Sequence, residues 1–265
     1  MAFRNQKIGD LEYLTADCLD GVCHAFSTRF GGVSEGALSS LNLGVHRGDK
    51  KENVIENYRI LGSAVGFSPE QTVFTRQEHT DLLRKVGKAD CGTGIFREPD
   101  YVADGIYTNE PGVALVCFSA DCTPILLYDP VKKAVAAVHS GWRGTAMGIV
   151  RRAVETLSRE FGSEPADIRA AIGPCIGSCC FEVGVEVPEA MRSALGAEAE
   201  PAIEARGEKY HVDLKEINRI WLRLAGVQAV DVSGECTMCA PDRFWSHRVT
   251  KGNRGSLAAV ILLRE

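Results

Sequence analysis

The chain has 265 residues, 45% of them hydrophobic and 25% charged, with a formal net charge of −5, a globular balance with room for a substantial core. A net negative chain lacks a broad basic face with which to grip a polyanion, so nucleic acid is excluded as its main partner. No apolar run approaches the roughly 18 residues of a membrane span and the first ten residues are polar, so the expectation is a cytoplasmic protein with no membrane partner.

The first feature along the chain is a glycine turn, Ser27-Thr28-Arg29-Phe30-Gly31-Gly32-Val33-Ser34, after a short apolar segment around His24 to Phe26. It lacks the lysine and hydroxyl order of a P-loop, so no NTPase is expected, and Arg29 is either an anion grip or a solvated turn residue. Asp49 with Glu52 has capping-box spacing, and Val54, Tyr58, Leu61 and Val65 recur on one helical face up to Gly66. Residues 113–118, 124–128, 135–138, 168–172 and 257–263 are short runs rich in apolar and β-branched residues, which predict strands. The turn Tyr128-Asp129-Pro130 is too short for a crossover, so it requires the second and third of these strands to be antiparallel. A second helix is predicted after Gly144 and up to Gly162, with Ile149, Val150, Ala153, Val154, Leu157 and Phe161 inward. A third begins at Asp213 with Glu216 at its third position, burying Leu214, Ile217, Trp221 and Leu224 before Gly226. The order fits an α+β layout with mixed sheets and helices packed outside. No linker, repeat or low-complexity tract interrupts it, so residues 1–265 are expected to form a single domain.

Three residues stand where predicted strands run into loops: His79 in Gln77-Glu78-His79, Cys122 after the strand 113–118, and His139 at the end of the strand 135–138. Two imidazoles and a thiolate make a zinc ligand set with one position open, which is the pattern of catalytic rather than structural zinc. Cys122 with His139 also suits a metal-free cysteine hydrolase, in which the thiol is the nucleophile and the imidazole its base. A zinc-stabilised binding module is a third, non-enzymatic reading. Asp104 and Asp121 are candidate proton carriers or partners of the ligand imidazoles. After His139, the run Ser140-Gly141-Trp142-Arg143-Gly144-Thr145 enters the second helix, so Arg143 and the helix-start amides are candidate anion grips.

Ten cysteines without a secretory signal are expected to be reduced, most of them small buried hydrophobes. Cys236-Thr237-Met238-Cys239 is a lone CxxC. A structural zinc there needs a second pair, which Cys175 with Cys179 or Cys180 would have to supply, and packing near the site is the default expectation. His24, His46, His211 and His247 complete six histidines, with no HxH pair. An oxidase with mononuclear and trinuclear copper centres needs about ten imidazoles, so copper is disfavoured.

Taken together, STRFGGVSEG, SSLNLGVHRGD, QEH, ADGIYT, SADCTPILLYDP, AAVHSGWRGT, GPCIGSCCFEVG and CTMCAPDRFWSHR resemble the bacterial YfiH-like laccase-domain (polyphenol oxidase) family nearly end to end. The resemblance implies a four-layer α/β/β/α sandwich and a zinc-containing purine nucleoside phosphorylase acting on adenosine, inosine, guanosine and methylthioadenosine, with deamination of adenosine to inosine as well. Its partners would be purine nucleosides and phosphate, on a monomer or homodimer, and its zinc ligands map to His79, Cys122 and His139. His46 is placed with Arg29 and Arg143 among the candidate contacts to substrate or phosphate, and zinc would activate water for attack on the purine in deamination. Two stretches depart from the pattern: Glu78 and Thr80 replace small residues beside the first histidine, and residues 251–255 are irregular.

Overall fold

A computed structural model describes residues 3–264 of the chain. The strands, numbered along the chain, are β1 (Phe3–Ile8), β2 (Leu11–Ala16), β3 (Cys23–Ser27), β4 (Thr72–Val73), β5 (Leu83–Lys85), β6 (Gly105–Thr108), β7 (Ala114–Ser119) and β8 (Thr123–Asp129). They continue as β9 (Ala134–Ser140), β10 (Arg169–Ile172), β11 (Glu182–Val183), β12 (Ile203–Arg206), β13 (Lys209–Val212), β14 (Ala229–Val232) and β15 (Leu257–Leu262). The helices are α1 (Lys51–Val65), α2 (Trp142–Ala146), α3 (Ile149–Phe161), α4 (Glu186–Leu195), α5 (Leu214–Leu224) and α6 (His247–Thr250).

Two six-stranded sheets carry the architecture, in the orders β1-β2-β3-β15-β7-β4 and β14-β10-β8-β9-β6-β5. Both are mixed. The first is antiparallel except for β4 beside β7, and the second has parallel pairs only at its ends, β10 with β14 and β5 with β6. The inner faces meet in one core: Phe26, Leu115, Cys117, Ala259 and Ile261 from the first sheet pack with Ile106, Leu126, Tyr128, Val135, Ala137 and Ala171 from the second. The outer face of the second sheet, with Ile125, Leu127, Ala136 and Val138, is covered by Ile149, Ala153 and Leu157 of α3 and by Ile217 and Trp221 of α5. The outer face of the first, with Ala25, Val116, Val260 and Leu262, is covered by Val54, Tyr58 and Leu61 of α1. The layers therefore run α/β/β/α. Every residue of β8 and β9 is buried because both faces are covered, which explains why these segments read as continuous apolar runs rather than alternating ones.

The predicted hairpin forms with β8 and β9 paired antiparallel from Thr123↔Ser140 to Asp129↔Ala134. Asp129 Oδ1 accepts from the amides of Val131 and Lys132, and Lys133 takes the left-handed conformation (φ 53°) that closes the turn.

Four expectations are corrected. Asp49 does not cap α1, because its carboxylate is taken up by Ser34, Asn42, Asn53 and the amide of Lys50, so the helix starts at Lys51 without a side-chain cap. The second helix starts at Trp142, earlier than expected, and splits at Gly148, whose φ of 71° ends α2 and redirects the chain into α3. On α5, Asp213 does cap through the amide of Glu216, but Leu224 is exposed, with Ile220 and Leu222 buried in the last turns instead. Most of the ten cysteines were expected to be small buried hydrophobes, but only Cys18, Cys23, Cys117, Cys175 and Cys236 are buried, and Cys179 and Cys239 are exposed, which packing alone does not account for. A small sheet of β11, β13 and β12 and the helix α4 complete the fold. Among the described residues, no helix is long and apolar enough to cross a membrane.

Candidate metal centre

His139 is the last residue but one of β9, and Cys122 immediately precedes β8, so the pairing Pro124↔His139 brings the two to the same end of the second sheet. His79 arrives from the loop between β4 and β5. Its ring packs edge-on against that of His139, with centroids 4.9 Å apart at 81°, and its Nε2 lies 3.6 Å from Cys122 Sγ. The three ligand atoms all lie within 4.8 Å of one another. Tetrahedral zinc with bonds of about 2.0–2.3 Å holds its ligand atoms on the order of 3.3–3.8 Å apart, so a small contraction around an ion completes the set.

Asp104, the residue just before β6, organises this group from behind. It is buried, and its carboxylate accepts from His139 Nδ1 at 2.8 Å, from the amides of Glu78, His79 and Thr80, and from Thr80 Oγ1 at 2.7 Å. Its own carbonyl accepts the His139 amide at 2.7 Å. With its Nδ1 proton donated to Asp104, His139 presents Nε2 toward Cys122, which is the tautomer a metal ligand or a base requires. Asp104 thus touches two of the three candidate ligands, and it does not line the cavity in front of them.

Two of the ligand segments depart from ordinary backbone geometry. His79 has φ 60° and Asp121, the residue before Cys122, has φ 92°, conformations that cost roughly 1–3 kcal/mol each in non-glycine residues. Hydrogen bonds hold both in place: the His79 amide reaches Asp104, and the Asp121 carboxylate accepts from Thr237 Oγ1, Ser246 Oγ and the amide of Arg248. Beside them Gly141 leaves room, since a Cβ there would sit 2.5 Å from His79 Cδ2 and 3.3 Å from Cys122 Sγ.

The electrostatics follow from the same contacts. Burial would raise the Cys122 thiol, but the imidazoles of His139 and His79 outweigh it and bring the thiol down to about 6. Burial would lower His139, and it is overcome by Cys122 and Asp104, which lift it to about 9. Asp104 is pulled down to about 2, against the effect of burial, by the hydrogen bonds from His139 and Thr80. Both shifts run in the same direction: Cys122 and His139 each favour the charged form of the other, and the buried Asp104 carboxylate supports the imidazolium.

A cavity of about 470 Å3 opens in front of these residues, lined by Phe74, Gln77, His79, Phe118, Cys122, His139, His46, Arg47 and Arg254 among others. Arg254 is 9% exposed, and its Nε is buried without a partner, while one terminal nitrogen donates to the Gly255 carbonyl and Ser256 Oγ. Burial first, and then the nearby Arg47, push Arg254 down to about 10. Two guanidiniums sharing a pocket wall invite an anion between them. His46 lies at the rim, 3.4 Å from Glu98.

The structure places the other candidates elsewhere. Arg29 stacks 3.8 Å over Trp245 and donates to the carbonyls of Ser39 and Pro241, and Arg143 is exposed over the Trp142 ring; neither lines the cavity. Arg47 and Arg254 were not singled out from the sequence. Arg254 falls in the irregular stretch 251–255, and a charged residue inside a departure from a familiar pattern was the signal available.

Residues 23–264 match the family described as multi-copper polyphenol oxidoreductase laccase. The Bacillus subtilis protein named purine nucleoside phosphorylase YlmD is 38% identical over 249 residues, covering 92% of this chain and 89% of its own. The Escherichia coli protein named purine nucleoside phosphorylase YfiH is 37% identical over 244 residues, covering 92% and 94%. The crystal structure of YlmD from Geobacillus stearothermophilus superposes with a TM-score of 0.92 at 37% identity, over 98% of this chain and 99% of that one. Of the six histidines, His24 is committed to the Ala16 amide and the Val22 carbonyl and His211 to the Ser178 carbonyl, whereas His46, His79 and His139 line the cavity. The chain belongs to the laccase-domain family of YfiH and YlmD, relatives that carry the name purine nucleoside phosphorylase.

Proposed function

We propose that the chain is a zinc-dependent purine nucleoside phosphorylase that cleaves adenosine, inosine, guanosine and methylthioadenosine with phosphate, and that the same site deaminates adenosine. The observation that carries this reading is the opening of His79, Cys122 and His139 into a cavity whose wall also bears two converging guanidiniums. The donor set fits the ion: one sulfur and two imidazole nitrogens, a carboxylate fixing one imidazole, and a vacant direction facing the cavity. When bound there, zinc would supply Lewis-acid charge to the cavity that these residues line.

The chain's own residues supply the rest. Arg47 and the Arg254 guanidinium hold phosphate, so the anion role read from sequence for Arg29 and Arg143 passes to the two arginines that line the cavity, with His46 at its mouth. Phe74 and Phe118, packed edge to face at 4.9 Å, offer an apolar wall for a purine. Gln77 is spent on the backbone of Phe118, with which it exchanges two hydrogen bonds, so it shapes the wall rather than reading the base. Positioning and charge stabilisation dominate, and no protein side chain needs to form a bond to the sugar.

The test is a nucleoside panel incubated with and without phosphate, with released base and sugar phosphate identified and bound metal measured in the same sample. Phosphate-dependent release by zinc-loaded protein, lost in Cys122→Ala together with the ion of this site, is the expected result; full phosphorolysis by Cys122→Ala protein that holds no ion between His79 and His139 would sink the proposal. The Cys122–His139–Asp104 line also has the order of a nucleophile, base and orienting acid, which favours the hydrolase as second reading. Alkylation of Cys122 by a substrate-like electrophile in active, zinc-free protein selects that reading, whereas chelator-sensitive activity selects the metal.

A further inference from the structure

A second group of sulfurs gathers away from the cavity. Cys179 and Cys180 lie in the turn between β10 and β11, and Cys236 and Cys239 in the turn after β14. The two turns meet because β10 and β14 are parallel neighbours in register, Ile172 beside Val232, and leave the sheet at the same end. The pairing continues past the strands: the Ser233 amide donates to the Ile172 carbonyl, Cys175 bridges Cys236, and the Thr237 amide donates to the Cys175 carbonyl.

The four sulfurs all lie within 4.8 Å of one another, with Cys179 to Cys239 at 3.5 Å and Cys180 to Cys239 at 3.3 Å. These separations are well beyond the roughly 2.05 Å of a disulfide. Both are a few tenths of an ångström under the spacing of about 3.8 Å that four sulfurs adopt around zinc at bonds of about 2.3 Å. The surroundings are built for the cluster. Gly177 donates its amide to Cys236 Sγ at 3.2 Å, and a Cβ at Gly177 would press within 3.2 Å of Cys179 Sγ and 3.3 Å of Cys236 Cβ. Backbone amides aimed at a ligand sulfur are what thiolate metal sites use to spread the charge. Cys179 and Cys239 are exposed, which gives an ion a way in from solvent.

We propose that Cys179, Cys180, Cys236 and Cys239 hold a zinc ion in a closed, all-thiolate structural site separate from the cavity. Binding replaces the thiol protons, which leave to solvent, and no electron is transferred. The site ties the β10 turn to the β14 turn, and both turns touch Asp121: the Ile176 amide donates to its carbonyl at 3.0 Å, and Thr237 Oγ1 to its carboxylate at 2.6 Å. The second ion therefore braces the strained residue that precedes Cys122. This inference does not depend on the nucleoside reading, because it concerns different ligands and is read by metal content.

The experiment is elemental analysis of full-length protein purified under a non-chelating reductant. Two zinc ions per chain are expected in the unaltered protein, one in Cys122→Ala and one in Cys236→Ser/Cys239→Ser. Cobalt substituted into His79→Ala/Cys122→Ala protein should give the thiolate charge-transfer bands and intense visible bands of a tetrahedral all-sulfur site. If the CxxC double variant does not fold, the unaltered protein still decides: a mercurial thiol reagent should release two ions. A single ion that vanishes with Cys122→Ala overturns the proposal, as does a visible iron–sulfur chromophore carried by these cysteines or a disulfide among them in freshly reduced, metal-supplied protein.

Discussion

Asp104 Oδ1 stands 2.8 Å from His139 Nδ1, and the same carboxylate collects the amides of Glu78, His79 and Thr80. One buried acid therefore sets both the ring of one candidate ligand and the loop that carries another. Replacing it with an amide puts an N–H donor among donors. Asp104→Asn is expected to weaken metal binding about 10–100-fold and to cost about 3–5 kcal/mol of stability, the usual penalty for breaking one side of a buried pair. Competition titration with a zinc chelator and chemical denaturation measure the two effects; full metal affinity in a stable variant would show that the carboxylate is dispensable. The pH sign follows from its lowered value of about 2. A depressed carboxylate contributes stability above its unfolded value near 4 and loses it as pH falls through about 2, so the variant should lose part of the acid limb of the stability profile.

Gly141 offers a sharper steric probe. Its φ of −67° is open to any residue, so a substitution meets no backbone penalty, only the His79 ring 2.5 Å from the new methyl and the Cys122 sulfur at 3.3 Å. Gly141→Ala is expected to push His79 off its position and lower metal occupancy by tenfold or more while costing about 1–3 kcal/mol in stability. Metal content at a fixed zinc concentration reads the first effect, and unchanged occupancy would show that His79 is not a ligand.

The ligand-free group should carry its charge separation before any ion arrives. With Cys122 near 6 and His139 near 9, the thiolate exists across neutral pH and the imidazolium supplies the proton that metal uptake must expel. Iodoacetamide labelling of Cys122 in metal-free protein, followed by peptide mass spectrometry, should rise with a midpoint near pH 6 and stay high above it. His139→Gln removes the principal cation and should move that midpoint upward. A midpoint at the ordinary free-thiol value of about 8.5 in the unaltered protein would dissolve the pair.

The sequence was legible where local chemistry decides structure. The apolar runs of β7 to β10 and β15, the Asp129 turn and the Asp213 cap need only their own residues and immediate neighbours. His79, Cys122 and His139 were readable as a set because strand ends and ligand chemistry both single them out. What escaped depends on long-range placement. The tetracysteine group forms because β10 and β14, about 60 residues apart along the chain, pair in parallel; the sequence offers Cys175 with Cys179 or Cys180 as a second pair for the CxxC, and only the fold selects Cys179 with Cys180 and leaves Cys175 out. Asp49 escaped because its carboxylate serves Ser34 and Asn42 in the loop before the helix, not the helix itself. Arg254 reads as part of an irregular tail, and only the fold brings it beside Arg47 into the cavity wall.

The two arginine assignments separate cleanly in kinetics. Arg254 lines the cavity beside Arg47, whereas Arg29 spends its guanidinium on the Ser39 and Pro241 carbonyls and the Trp245 ring. Arg254→Met preserves bulk and removes the charge-assisted donors, worth roughly 1.5–3 kcal/mol toward an anion, so KM for phosphate should rise on the order of ten- to a hundredfold with a smaller change in KM for nucleoside. Arg29→Met should leave both KM values near their original level and lower stability by about 1–3 kcal/mol through the lost carbonyl contacts and stacking. Steady-state kinetics at varied phosphate, paired with thermal melts, distinguishes them. A phosphate KM that climbs for Arg29→Met and stays put for Arg254→Met would move the anion site from the cavity wall to the glycine turn.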